Sequence, residues 1–117
     1  MNIEEFRAYC LSKKGVTEEL PFDNITLVYK VLGKMFALTN TIGDFTINLK
    51  CNPDVAIELR ERYPSVLPGY HMNKQHWNTV AIDGSVPVKL IYEWIDHSFN
   101  LVVDSLPKKL KTELNNI

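Results

Sequence analysis

Two reversals in the first half of the chain constrain the fold more than any other feature. TLVYKVL and KMFALTN are separated only by a reversal at Gly33-Lys34, and TIGD separates KMFALTN from DFTINLK. A parallel crossover needs about a dozen residues or more, so connections this short predict an antiparallel meander. DFTINLK alternates most cleanly, with Phe45, Ile47 and Leu49 on one face and Thr46, Asn48 and Lys50 on the other. TLVYKVL sets Leu27, Tyr29 and Val31 against Val28, Lys30 and Leu32. One face is apolar and the other more polar. Such a sheet needs helices over its apolar side.

Helical signals flank the meander. Asn2 with Glu5 forms a capping box ahead of Ile3, Phe6 and Cys10. TEELPFDN reads as a connector broken by Pro21 and Asn24. Asn52-Pro53-Asp54 starts a second helix, with Val55, Leu59 and Tyr63 as its apolar line and Pro64 as its stop. SVLPGYHMNK reads as a long loop and HWNTVAID as a fourth strand. Ser85 is placed to cap the longest helix, whose Val88, Ile91, Ile95 and Val102 share a stripe; Ser105-Leu106-Pro107 opens a short last helix. The predicted fold is a two-layer α+β domain over residues 1–117, in the order α-β-β-β-α-β-α-α, with helices on one face of a mostly antiparallel sheet.

Charge and composition narrow the partners. The 13 basic and 14 acidic side chains leave a net charge of -1, so any basic surface must be local. Lys108, Lys109 and Lys111 are one candidate, although a tail helix of this kind is usually a solvated face. No apolar run reaches the ~18 residues of a membrane span. MNIEEFRAYC lacks the layout of a secretory leader, so the cytoplasm is the expected compartment. Cys10 and Cys51 share no metal-type spacing and read as reduced, buried thiols.

Catalytic signatures are sparse. No serine lies in a G-x-S-x-G elbow, and the glycines are isolated turn residues without a phosphate-binding pattern. Cys51 and His76 could pair only if folding brought them together. His71, His76 and the Glu93/His97 pair make no metal signature. Glu58 and Glu61 fit a wet helix face. No cofactor and no metal are expected.

The richest polar cluster lies in YHMNKQHWNTVAIDG, from Tyr70 to Gly84. In a strand starting near His76, that residue, Asn78, Val80 and Ile82 share one face, and Trp77, Thr79 and Ala81 the other. Trp77 beside Lys74, Asn73 and Asn78 could stack on a base while lysine meets phosphate. Equally, Trp77 could pack beneath SVLPGY as part of the interior.

PGYHMNKQHWNTV, within Asn48 to Val80, LPKKL at Leu106 to Leu110, LPFD at Leu20 to Asp23 and GKMFAL at Gly33 to Leu38 together resemble the MmcQ/YjbR family over nearly the whole chain. The resemblance implies a frataxin-like (CyaY-like) fold and a double-wing motif held to bind DNA, an analogy made at the level of fold. The wing candidates are the Gly33 turn and the Thr41 to Asp44 turn. Iron binding through an acidic first helix, known in similar folds, finds only Glu4 and Glu5 here.

Two readings follow. In the first, a non-catalytic domain binds DNA: Lys34 and Lys74 meet phosphate, His76 and Trp77 line the surface, and Asn73 or Asn78 adds polar contacts. In the second, the 68–78 loop binds a protein or small ligand in a pocket of Tyr70, His76 and Trp77. An enzyme has the least support, and the oligomeric state is open.

Overall fold

The computed structural model describes residues 1–69 and 72–117. Its elements are α1 (Ile3–Leu11), β1 (Val16–Glu19), β2 (Thr26–Val31), β3 (Lys34–Asn40), β4 (Thr46–Lys50), α2 (Pro53–Arg62), β5 (Val66–Pro68), β6 (Trp77–Ala81), α3 (Val88–Ser105) and α4 (Lys108–Asn115). The strands form one six-stranded sheet in the order β1-β2-β3-β4-β6-β5. Every neighbouring pair is antiparallel. The predicted meander is β2-β3-β4.

Two strands exceed the sequence expectation. β1 occupies part of the stretch read as a connector, and β5 part of the stretch read as a loop. Both are short edge strands whose order comes from the neighbour they pair with. Pro68 suits an edge, where a missing N–H costs no ladder bond. β1 is also tied down by Glu18. Arg7 of α1 donates two 2.8 Å hydrogen bonds to its carboxylate, and the Tyr29 hydroxyl donates a third at 2.7 Å.

The first reversal is shifted by one residue. Leu32 (φ 45°) and Gly33 (φ 88°) are its two left-handed residues, so Lys34 already belongs to β3. Two successive positive φ values match the twist of the flanking strands. The Asn2/Glu5 box caps α1 and Asn52 caps α2, as the sequence suggests. Ser85 does not cap α3, because Asp83 Oδ1 accepts both its N–H (2.9 Å) and its hydroxyl (2.6 Å); Pro87 stands at the cap.

Helices cover one face. Phe6, Cys10, Ile91, Ile95, Val102 and Leu114 pack on Leu27, Tyr29, Val31, Ile47, Leu49 and Val80. β3 departs from strict alternation. Its register slips between Tyr29 and Lys30, so Phe36 and Ala37 are both buried on the helix side while Met35 and Leu38 face away. Pairing of β3 with β4 runs from Thr39/Ile47 to Ala37/Leu49 and stops there. At that point the buried Ser98 of α3 enters. Its hydroxyl donates to the Phe36 carbonyl (2.5 Å) and accepts from the Lys50 N–H (2.8 Å). Two backbone groups that would otherwise pair across the strands are thus satisfied by one side chain.

Two predictions follow from these contacts. Ser98→Ala strands both backbone groups and should cost about 1–3 kcal/mol, read as a lower urea midpoint with unchanged slope. The Arg7 guanidinium, more than any other group, holds the Glu18 carboxyl below the usual carboxylate range. Folding lowers that pKa, so the stabilisation is present above the ordinary value of about 4.3 and lost as pH falls through the folded value. Glu18→Gln should therefore lower the midpoint at neutral pH and close on the wild type as the pH falls through the folded value.

Candidate nucleic-acid interface

The segment from Gly69 to Asn78 holds most of the residues singled out from sequence, and the structure divides them. Trp77 is 7% exposed and packs with Val28 and Leu38, flanked by Met35 and Met72, on the sheet face away from the helices. Asn78, 2% exposed, faces the helix side. Arg60 of α2 donates from Nε to Asn78 Oδ1 (2.6 Å), and the Asn78 amide donates to the Ala56 carbonyl (3.4 Å). Arg60 also donates to the carbonyls of Lys74 and Trp77. Trp77 and Asn78 therefore hold the fold together rather than presenting a binding surface. The cause is that both sheet faces carry apolar residues under this strand.

Asn73 shapes the loop. Its Oδ1 accepts from the Gln75 N–H (2.9 Å), and its carbonyl accepts from the N–H of Trp77 (2.9 Å). Gly69 lies against the start of β6, where a Cβ would sit 2.9 Å from Trp77 Cβ and 3.1 Å from its carbonyl oxygen. Only glycine permits that approach. His76 is half-buried, and its carbonyl accepts from the Cys51 N–H (2.7 Å). This is a main-chain contact, not a thiol–imidazole pair. Burial pushes the Cys51 thiol up to about 11, which keeps it protonated at neutral pH. Lys74 and Asn73 are exposed. Tyr70 and His71 lie outside the described residues.

The lysine chemistry gathers at one end of the sheet. Antiparallel register sets Lys30 opposite Met35 and Lys50 opposite Trp77, so both lysines rise from the face away from the helices. With Lys34 they line a cavity of about 430 Å³, walled also by Phe22 and Met35. Val102 and Ser105 of α3 reach the same cavity, because β3 and β4 part beside it. Phe22, from the β1–β2 connection, is 64% exposed. It also borders a second cavity of about 580 Å³ on this face, with Thr26, Leu38, Asn40, Asn48 and Met72.

Two carboxylates temper the charge. Lys30 Nζ lies 3.3 Å from Glu19. Glu19 is held below the usual range chiefly by the Thr17 hydroxyl, then by Lys30. Asp23 is held low by the N–H groups of Ile25 and Thr26. Sequence reading had Lys34 but missed Lys30, Lys50, Phe22 and Arg60. The alternation of β2 and β4 already put Lys30 and Lys50 on the polar face, which was the available signal.

Among the described residues no three His, Cys, Asp or Glu side chains gather as a metal site requires, and no helix is long and apolar enough to cross a membrane.

The architecture is an α+β one, a helix-backed antiparallel sheet with its second face partly open. The model of the family described as YjbR matches residues 11–101. The uncharacterized protein YjbR of Escherichia coli (strain K12) is 34% identical over 110 residues, covering 93% of each chain. The uncharacterized protein YbdF of Escherichia coli O157:H7 is 38% identical over 104 residues, 82% of this chain and 85% of that one. Among solved structures, Deinococcus radiodurans protein DR2400, of family-model domain DUF419, superposes with a TM-score of 0.91 at 40% identity, covering 97% of this chain and 88% of its own. A Pseudomonas syringae protein superposes at 0.75 with 29% identity, covering 86% and 98%. The chain belongs to the YjbR family.

Trp77→Ala tests the packing role. Loss of the indole from the Val28–Leu38 cluster should cost about 3–5 kcal/mol in a chemical denaturation experiment. A surface role would leave the midpoint near that of the wild type.

Proposed function

We propose that this protein is a cytoplasmic, non-catalytic single domain that binds nucleic acid through the lysine end of the open sheet face. The observation that carries the reading is the lining of one cavity by Lys30, Lys34 and Lys50 beside the exposed ring of Phe22. Lysines meet phosphates without regard to sequence, and an exposed aromatic offers a stacking surface for a base. Lys74, on the exposed loop that enters β6 at Trp77, extends the basic edge.

The same topology bears on the double-wing idea. Consecutive antiparallel connections alternate between sheet ends. The Leu32-Gly33 turn and the loop leading into Trp77 therefore share an end, and the 41–44 turn lies at the other. A footprint combining Lys34 with Lys74 uses the first two only. The likeness to frataxin-like proteins is part of this proposal, supported by the antiparallel meander with helices on one side.

With a net charge of -1, affinity must come from a few local contacts. Neutralising about three phosphates gives a log–log salt slope of about -2 to -3. Anisotropy of labelled duplex and single-stranded oligonucleotides at about 50 and 200 mM salt measures it. Lys34→Ala and Lys50→Ala should each weaken binding and reduce the slope by about one. Phe22→Ala should weaken single-strand binding more than duplex binding. Absence of binding up to about 100 µM protein, the weak end of non-specific affinity, would sink the proposal.

A further inference from the structure

A separate cavity of about 280 Å³ opens on the helix side, between α2 and α3 and above β4 and β6. Lys50 of β4 borders both this cavity and the lysine groove. Leu49 and Val80 form its buried floor, and Val55, Leu59 and Trp94 its sides. This space exceeds the ~150 Å³ that encloses a benzene ring and falls just under the usual range for drug-sized ligands. It suits one or two fused rings.

The polar groups sit at defined places. Asn78 lies at the floor, its Oδ1 accepting from Arg60 and its amide donating to the Ala56 carbonyl at a long 3.4 Å. Among the described residues nothing accepts from the second N–H of that amide, which leaves it for a ligand atom. At the rim, His97 Nε2 accepts from the Asn52 N–H (3.3 Å), so the neutral ring carries its proton on Nδ1 and is a donor there. Glu93, one helical turn before His97, adds an exposed carboxylate. Lys50 borders the cavity through β4, while its register opposite Trp77 sends its side chain toward the other sheet face. Arg60 reaches the floor from α2, its guanidinium engaged by Asn78 Oδ1 and the carbonyls of Lys74 and Trp77.

We infer that this cavity is a binding site for a small aromatic amine, its ring over Leu49 and Val80 and its ammonium group beside Glu93. Apolar walls account for the ring, and Glu93, the one carboxylate among the described lining residues, for the sign of the head group.

Three probes that share the indole ring system separate the two parts of the inference: tryptamine, indole and indole-3-acetate, titrated against the labelled protein and followed by backbone amide NMR. Saturable shifts should centre on Leu49, Cys51, Val55, Trp94 and His97. Tryptamine should bind about two- to five-fold tighter than indole, and indole-3-acetate weaker than indole, the range expected for a partly exposed charge pair. Val55→Phe, at a wall position on α2, should fill the cavity and abolish the shifts for all three. Glu93→Gln, at an exposed helical position that leaves folding intact, should erase the preference for tryptamine and retain indole binding. No saturable shift up to about 1 mM probe would overturn the site. Shifts that survive Val55→Phe in a folded variant would overturn it too. Equal affinities for the three probes would overturn the amine assignment.

Discussion

The Ser98 hydroxyl stands where two strands of the sheet separate, and much else depends on that position. Continuous pairing of β3 with β4 would close the sheet between Lys34 and Lys50. Instead the slip at Phe36 turns one extra side chain into the core, and α3 supplies the hydrogen bonds that the strands no longer exchange. A buried carbonyl and a buried N–H left alone would each be destabilising, so the opening persists only because a small hydroxyl fits it. Leucine or alanine at this point of the helical stripe would satisfy the apolar pattern and fail the backbone. The gap lets residues of α3 share a cavity with lysines of the opposite face.

The sheet consequently has two different working surfaces. On the helix side, burial dominates, interrupted by the cavity between α2 and α3 over β4 and β6. On the other side, the apolar cluster of Val28, Leu38 and Trp77 is too small to need a covering layer. Met72 and Phe22 border it, and the lysines occupy its end. β6 serves both sides at once. Trp77 anchors one and Asn78 the other, one residue apart, as period-two alternation requires.

Much of the central fold was legible because its signals are local. Short turns dictate antiparallel pairing, and the Asn2 and Asn52 caps are written in neighbouring residues. β1 and β5 were not legible, since VTEE and VLP carry little strand preference of their own and owe their order to β2 and β6. The same distinction applies to the site. Alternation identified which face Trp77 belongs to but not that Val28 and Leu38 would meet it there. Arg60 gave no signal, because an arginine on the polar side of a short helix looks solvated until the loop it grips is known. Phe22 was hidden in a connector. Its exposure becomes meaningful only beside lysines brought from three strand segments.

The edge strands have a consequence for the molecule in a crowded solution. An exposed strand edge is a template on which another chain can extend the sheet, the first step toward aggregation. β5 offers three residues, one of them a proline that cannot donate to an incoming strand. β1 offers four, with Glu18 held on the core side by Arg7 and Tyr29 and Glu19 opposite Val28. An incoming strand would have to accommodate both carboxylates. Both ends of the sheet thus discourage growth, so the open face can remain exposed without inviting the protein to polymerise through its edges.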